Sequence, residues 1–188
     1  MRILLTGGTG LIGRHLCHRW HAQGYQLWVW SRRPDAVPAL CGPGVQGIAE
    51  LEELDDQPLD AVINLAGAPI ADRPWTAARR RELWDSRVTL TEKLVDWLAS
   101  RAQRPQVLVS GSATGWYGDG GEQRLDEESP PADQGFAARL CGAWEEAACR
   151  AEPLGMRVVR VRTAPVLARD GGMLPRLLPL FRLGLGGP

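Results

Sequence analysis

Residues 1–13 read Met1-Arg-Ile-Leu-Leu-Thr-Gly-Gly-Thr-Gly-Leu-Ile-Gly13, and the order of side chains in this stretch decides the fold. Ile3 to Leu5 form a short apolar run, the pattern of a strand buried on both faces. A glycine turn, Thr6 to Gly13, follows at once. Leu11, Ile12, Leu16 and Trp20 then recur at helical spacing up to Gly24, which is placed to end a helix. Strand, glycine turn and helix in that order predict a phosphate-binding opening. Gly7 permits the tight turn, Gly10 lets the backbone approach a pyrophosphate, and Gly13 lets helix and strand pack closely. The helix N-terminus adds unpaired N–H groups and the positive end of its dipole. Thr6, Gly7, Gly10, Leu11 and Ile12 are the first candidate cofactor-binding residues.

At 188 residues the chain suits one domain with a sizeable core. Twenty-two basic residues balance twenty-two acidic ones, so nothing points to nucleic acid or a membrane surface. Lys93 is the only lysine. The four cysteines form no C-x-x-C pair and suggest no disulfide framework. No apolar run is long enough to span a bilayer and no signal peptide precedes the first strand, so the expected location is the cytoplasm. His15, His18 and His21 fan around the first helix instead of converging on one metal ion, and no metal site is expected.

Gln26 to Trp30 reads as the second strand, and Ser31-Arg32-Arg33-Pro34 leaves it. In a dinucleotide-binding fold the end of that strand meets the adenosine ribose. An acidic residue there binds a 2′-hydroxyl, whereas arginine accommodates a 2′-phosphate. No acidic residue occurs before Asp35, so Ser31 and Arg32 predict NADP(H). Residues 34–47 are rich in proline and glycine and read as a loop, leading to a weak strand near Val45–Ile48. The acidic cluster Glu50, Glu52, Glu53, Asp55 and Asp56 reads as a solvated face. Asp60 to Gly67 is a further buried strand ending in small residues. From Trp75 to Leu98 the spacing predicts a long helix, or two broken near Asp85-Ser86. Gln106 to Ser110 is the next strand, with Gly111 to Gly118 as its exit loop. A helix carries Phe136, Leu140 and Trp144 on one face. Arg157 to Arg162 is a sixth strand, followed by a turn in which Val166 offers an apolar contact to a nicotinamide.

The spacing G-x-x-G-x-x-G resembles short-chain dehydrogenases of the extended, sugar-nucleotide epimerase type. Ser31-Arg32, Asn64-Leu-Ala-Gly67, Trp144-Glu145 and the ending Phe181-Arg-Leu-Gly-Leu-Gly-Gly-Pro188 extend the likeness over essentially the whole chain. Together they resemble the atypical epimerase-family subgroup sometimes labelled cell-division-inhibitor-like. The resemblance implies that Leu65, Ala66 and Gly67 run along the cofactor, with Asn64 ranked below them, and that Ser110 belongs to the same set. Glu82 and Arg87 resemble an E-x-x-x-S-R pattern beside the cofactor; they either hold it or pair with surface neighbours. The exit loop resembles an S-S-S-A-x-x-Y-G segment with one residue inserted, which puts Ser112 at the catalytic serine position beside Tyr117. Glu127 to Pro131 resembles the stretch before the family's Y-x-x-x-K helix. The tyrosine and lysine themselves are missing: Phe136 and Leu140 occupy their positions in one alignment, Ala137 and Cys141 in another. The subgroup shares that departure. Its members continue into a lobe that closes over the substrate, so a stop at Pro188 suggests a truncated product.

The expected fold is α/β, a Rossmann-type, doubly wound, mostly parallel sheet with the C-terminal substrate lobe missing. Residues 1–168 would form the NADP(H)-binding domain and 169–188 the start of the lobe. The expected function is an NADP(H)-dependent oxidoreductase or epimerase-like enzyme acting on a small hydroxyl or carbonyl substrate, with Ser112 and Tyr117 as its catalytic residues. The alternative is a sensor or scaffold that keeps the cofactor without turnover. Leu174, Leu177, Leu178, Leu180, Phe181 and Leu183 crowd the tail, which predicts either a homodimer or a mobile tail beyond about Gly171.

Overall fold

Six parallel strands alternate with helices along the chain. They are β1 (Arg2–Thr6), β2 (Gln26–Trp30), β3 (Gln46–Ile48), β4 (Ala61–Asn64), β5 (Val107–Ala113) and β6 (Arg157–Thr163). The computed structural model describes residues 1–185, apart from the side chain of Arg176; the closing Gly-Gly-Pro lies outside them. The sheet order is β3-β2-β1-β4-β5-β6, so the winding reverses between β1 and β4. In such sheets a ligand crevice opens beyond the C-terminal ends of the strands at that reversal. Leu5 pairs with Val29 on one side and Ile63 on the other, and Thr6 with Trp30 and Asn64.

Successive strand residues face opposite layers. Ile3, Leu5, Leu27, Val29 and Ile63 pack under α1 (Leu11–Ala22) and α2 (Val37–Cys41), meeting Cys17, Val37 and Cys41. Leu4, Trp28, Val62 and Leu108 pack on the other face against Leu94, Trp97 and Leu98 of a long helical stretch and Ala148 of a later helix. The apolar runs of β1 and β4 follow from this two-sided burial.

That long stretch is α3 (Ala77–Trp84), a π-helical turn (Asp85–Thr89) and α4 (Leu90–Ser100) in unbroken succession. The break expected near Asp85-Ser86 is thus a widened turn, and the helix continues through it. Thr76 caps the start by accepting from the Arg79 backbone N–H. Residues 34–47, expected as a loop, contain a 3-10 turn (Pro34–Ala36) and then α2. Val37 and Cys41, one helical turn apart, are fully buried against α1, and Pro38 fits the first turn where no N–H partner is needed. The acidic cluster also does more than meet solvent. Glu53 accepts from the backbone N–H groups of Ala49 and Glu50 and closes a capping box over a 3-10 turn at Leu51–Leu54. Asp55 accepts from the Trp97 indole at 2.8 Å, and Glu50 pairs with Lys93 at 3.3 Å.

Beyond α5 (Phe136–Cys149) and β6 come a two-residue hairpin, β7 (Leu167–Ala168) with β8 (Gly171–Gly172), and α6 (Leu174–Arg182). Among the described residues no helix is long and apolar enough to cross a membrane.

Candidate active site

Two glycines fix the shape of the turn between β1 and α1. Gly7 has φ +67°, and a Cβ there would stand 2.5 Å from the Leu65 carbonyl. A Cβ on Gly13 would stand 2.4 Å from the Gly7 carbonyl oxygen, so helix and turn touch through backbone alone. Gly10 donates its N–H to Gly7 O at 3.0 Å and precedes α1 without offering a side-chain cap. The first turn of α1 therefore presents backbone donors with no side-chain acceptor over them. Leu11 packs beside Gly171 of the β7–β8 hairpin, which follows Val166, while Ile12 is exposed. Gly8, absent from the sequence expectations, lies so close to Val29 that a Cβ would come within 2.6 Å. Only the doubled glycine signals it.

At the end of β2, Ser31 donates its N–H to Ile48 O, and its hydroxyl accepts from the Arg33 N–H at 3.1 Å. Arg32 is exposed and makes no hydrogen bond or ion pair among the described residues. Beside it the Trp30 indole donates to Ala49 O, and the Lys93 ammonium sits 5.2 Å from the Trp30 ring centre.

Beneath the crevice Asn64, 0% exposed, joins four elements. Its carbonyl oxygen accepts from the Thr6 hydroxyl at 2.7 Å, and its amide donates to Thr91 at 2.8 Å and Ser110 at 3.1 Å. The Thr6 hydroxyl also accepts from the Ala66 N–H at 3.0 Å, which sets the path of Leu65 and Ala66. Thr6 and Ser110, expected at the cofactor itself, are thus buried in the floor of the crevice, bonded to protein. Asn64, ranked low from sequence, is the hub of that floor.

The π-helical turn faces the loop after β4. Ser86 accepts from the Ala68 N–H at 3.0 Å, and Arg87 donates to Ala68 O at 3.0 Å. The Arg87 guanidinium lies against Gly67 and 5.5 Å from the Trp144 ring centre, with no carboxylate partner among the described residues. Burial pushes its pKa below the ordinary value. Glu82 points elsewhere, accepting from Arg79 at 2.6 Å; Arg79 also bonds Asp72 and Pro69 O. Of the two candidates on this helix, only Arg87 stands beside the β4 loop.

The expected catalytic pair stands in a polar cluster at the ends of β5 and β6. Glu145 of α5, 2% exposed, receives the Ser112 hydroxyl at 2.6 Å on Oε1. Arg162 of β6 grips the same carboxylate bidentately, Nε to Oε1 at 2.8 Å and Nη2 to Oε2 at 2.9 Å. Its third nitrogen, Nη1, donates to the Tyr117 hydroxyl at 2.9 Å and to Glu127 O at 3.2 Å. The guanidinium lies 4.0 Å from the Trp116 ring centre. Burial alone would push the Glu145 carboxyl up, but the Arg162 and Ser112 hydrogen bonds and the Arg162 charge hold it below the usual carboxylate range. Hydrogen bonding to Glu145 raises the Arg162 guanidinium in turn. Neither Glu145 nor Arg162 was singled out as a site residue from sequence. The trace available there was the alternation Arg160-Val-Arg162 in a strand that otherwise reads as core.

The model of the NAD dependent epimerase/dehydratase family matches residues 3–183. The chloroplastic epimerase family protein SDR39U1 homolog of Arabidopsis thaliana is 37% identical over 196 residues, covering all of this chain and 55% of the plant protein. A crystal structure of human epimerase family protein SDR39U1 with NADPH superposes with a TM-score of 0.80 at 34% identity, over 100% of this chain and 62% of that one. A nucleoside-diphosphate sugar epimerase from Corynebacterium glutamicum gives the same TM-score at 32% identity, over 100% of this chain and 38% of the other. The chain thus spans little more than half the length of the plant relative.

Proposed function

The chain belongs to the NAD dependent epimerase/dehydratase family, and from that premise we propose that it is the NADP(H)-binding part of an oxidoreductase acting on a small carbonyl or hydroxyl compound. The observation that carries the cofactor reading is the uncapped start of α1 behind Gly7 and Gly13, together with the unpartnered Arg32 at the end of β2. The pyrophosphate fits the first turn of α1, which offers backbone donors and no competing side chain. Arg32 and Ser31 would take the 2′-phosphate. Leu65, Ala66, Gly67 and Val166 would line the path to the nicotinamide, with Arg87 bracing the loop at Gly67. Binding of NADPH by the human relative supports this choice over NAD. Residues 1–168 would bind the cofactor, and 169–188 would begin a substrate-facing lobe.

When bound, the reduced nicotinamide supplies a hydride. The protein's part is to orient the substrate and move one proton. The Tyr117 oxygen accepts from Arg162 and keeps its own O–H free to donate, which suits it to a carbonyl oxygen within about 2.6–3.2 Å. Ser112 acts on the same cluster through Glu145. A second reading, a cofactor-binding protein without turnover, is favoured by one observation: the Ser112 hydroxyl already gives its proton to the buried Glu145.

Titration of the purified protein with NADPH and NADH tests the cofactor reading. NADPH should bind more tightly, and Arg32→Ala should erase most of the difference. A charge-assisted hydrogen bond contributes about 1.5–3 kcal/mol, or roughly tenfold or more in affinity. Equal affinities in the unmutated protein would sink the assignment. NADPH consumption in the presence of carbonyl compounds separates the enzyme from the binding protein.

A further inference from the structure

In the alignment that sets Ala137 and Cys141 at the positions of the missing tyrosine and lysine, one charged group, Glu145, stands one turn further along α5. Ala137, Cys141 and Glu145 recur every fourth residue and so share one face of α5, the face turned towards the β5 exit loop. We propose that Arg162, locked by Glu145, is the positioning residue for the Tyr117 hydroxyl in place of the missing pair, with Tyr117 as the proton donor in carbonyl reduction. The proposal rests on the oxidoreductase reading above and names how that reading would work in this chain.

The geometry of the guanidinium carries the argument. Two of its nitrogens are fixed on the two oxygens of Glu145, at 2.8 and 2.9 Å. A planar fork held at two points has no freedom left at the third, and the third, Nη1, stands 2.9 Å from the Tyr117 oxygen. Trp116 covers the face of the same plane. Ser112 from β5 donates to Oε1 of Glu145, the oxygen that also takes Arg162 Nε, so β5, α5 and β6 together determine where one phenolic oxygen lies. A surface ion pair needs none of this support.

The same arrangement identifies which group gives the proton in the reductive direction. Arginine stays protonated throughout the working pH range and accepts nothing. Glu145 is buried, held ionised and already accepts from Ser112 and Arg162. The cluster therefore has a donor in the Tyr117 O–H and no free base. In the reductive direction the carbonyl carbon would receive the hydride that a bound, reduced nicotinamide supplies, forming a C–H bond. The C=O π pair takes the Tyr117 proton and becomes an O–H bond. The phenolate left beside Arg162 recovers its proton from water.

A double-variant cycle on this protein tests the role, with NADPH as reductant and 4-nitrobenzaldehyde as probe. Arg162→Gln should leave the NADPH dissociation constant within twofold and lower kcat at least tenfold. Tyr117→Phe should lower it at least as far, and the double variant should be no slower than Tyr117→Phe within twofold, because both remove one device. Arg162→Lys keeps a cation on Glu145 without the planar third contact, and its rate should lie between the unmutated protein and Arg162→Gln. Unchanged turnover in Arg162→Gln, or losses that multiply in the double variant, would overturn the proposal. If Arg162→Gln fails to bind NADPH through misfolding, the lysine variant decides: turnover equal to the unmutated protein overturns the role, and a drop with intact binding supports it. An unmutated protein that binds NADPH but does not reduce the probe overturns the reaction along with the role. Turnover that ignores Arg162 overturns the role alone.

Discussion

Replacing Glu145 by glutamine removes one charge and leaves the shape of the side chain almost unchanged, so it isolates what the buried carboxylate contributes. Its carboxyl is held below the usual range, so its stabilisation is fully present above the ordinary carboxylate pKa and is lost as pH falls through the lowered value. Glu145→Gln should therefore destabilise the protein at pH 7 by about 3–5 kcal/mol, since it strands the Arg162 cation. The gap from the unmutated protein should narrow in acid. Urea unfolding at pH 7 and at successively lower pH, down to the acid limit of the folded state, measures both; a gap that stays constant throughout would refute the linkage. Residues of this kind were the least legible in the sequence. Glu145 was legible only as part of the Trp144-Glu145 likeness and Arg162 only as a residue of the sixth strand, and 17 residues separate them. Gly7 and Gly13 were legible because their constraint is local, written in backbone space that only glycine fits.

The π-helical turn between α3 and α4 shows the same contrast for an element. An interruption near Asp85-Ser86 was readable from the apolar spacing, but its form was not, because the widened turn is set by contacts with a loop 18 residues earlier, Ser86 with Ala68. α2 escaped notice for a related reason. Its two buried side chains, Val37 and Cys41, are too few to show a period among prolines and glycines. Deleting Thr89 should close the widened turn to α-helical pitch, leaving α3 and α4 nearly in phase while the residues inside the turn are re-aimed. Ser86 and Arg87 would leave Ala68, so NADPH affinity should fall at least tenfold with helix content by circular dichroism nearly unchanged. Unaltered affinity would show that the widened turn is incidental. Gly7→Ala tests the neighbouring element: with φ +67° and the Leu65 carbonyl at 2.5 Å, it should cost more than about 1 kcal/mol and abolish NADPH binding.

At the scale of the whole molecule, the order β3-β2-β1-β4-β5-β6 brings the glycine turn, the Arg32 strand end, the Asn64 floor and the Arg162 cluster to one edge. The meeting of the glycine turn with the ends of β2 and β4 was legible, because β1, β2 and β4 read as apolar runs that leave into small or polar residues; the Arg162 cluster was not. The last element departs from the balance of the rest: α6 and the residue that caps it leave Phe181 60% and Leu183 72% exposed, with Leu178 and Leu180 on the surface as well. An uncovered apolar face of this kind favours association. The protein should sediment with concentration-dependent mass at tens of micromolar, and Leu180→Ser with Phe181→Ser should return it to a monomer. A concentration-independent monomer before substitution would contradict this. The single lysine of the chain has a use of another kind. Lys93 stands over Trp30, next to the strand end that carries Ser31 and Arg32, and half of its side chain meets solvent. An amine-reactive dye has one ε-amino group to choose. It would attach a reporter beside the end of β2, where the adenosine of a bound cofactor is proposed to lie, without an engineered cysteine.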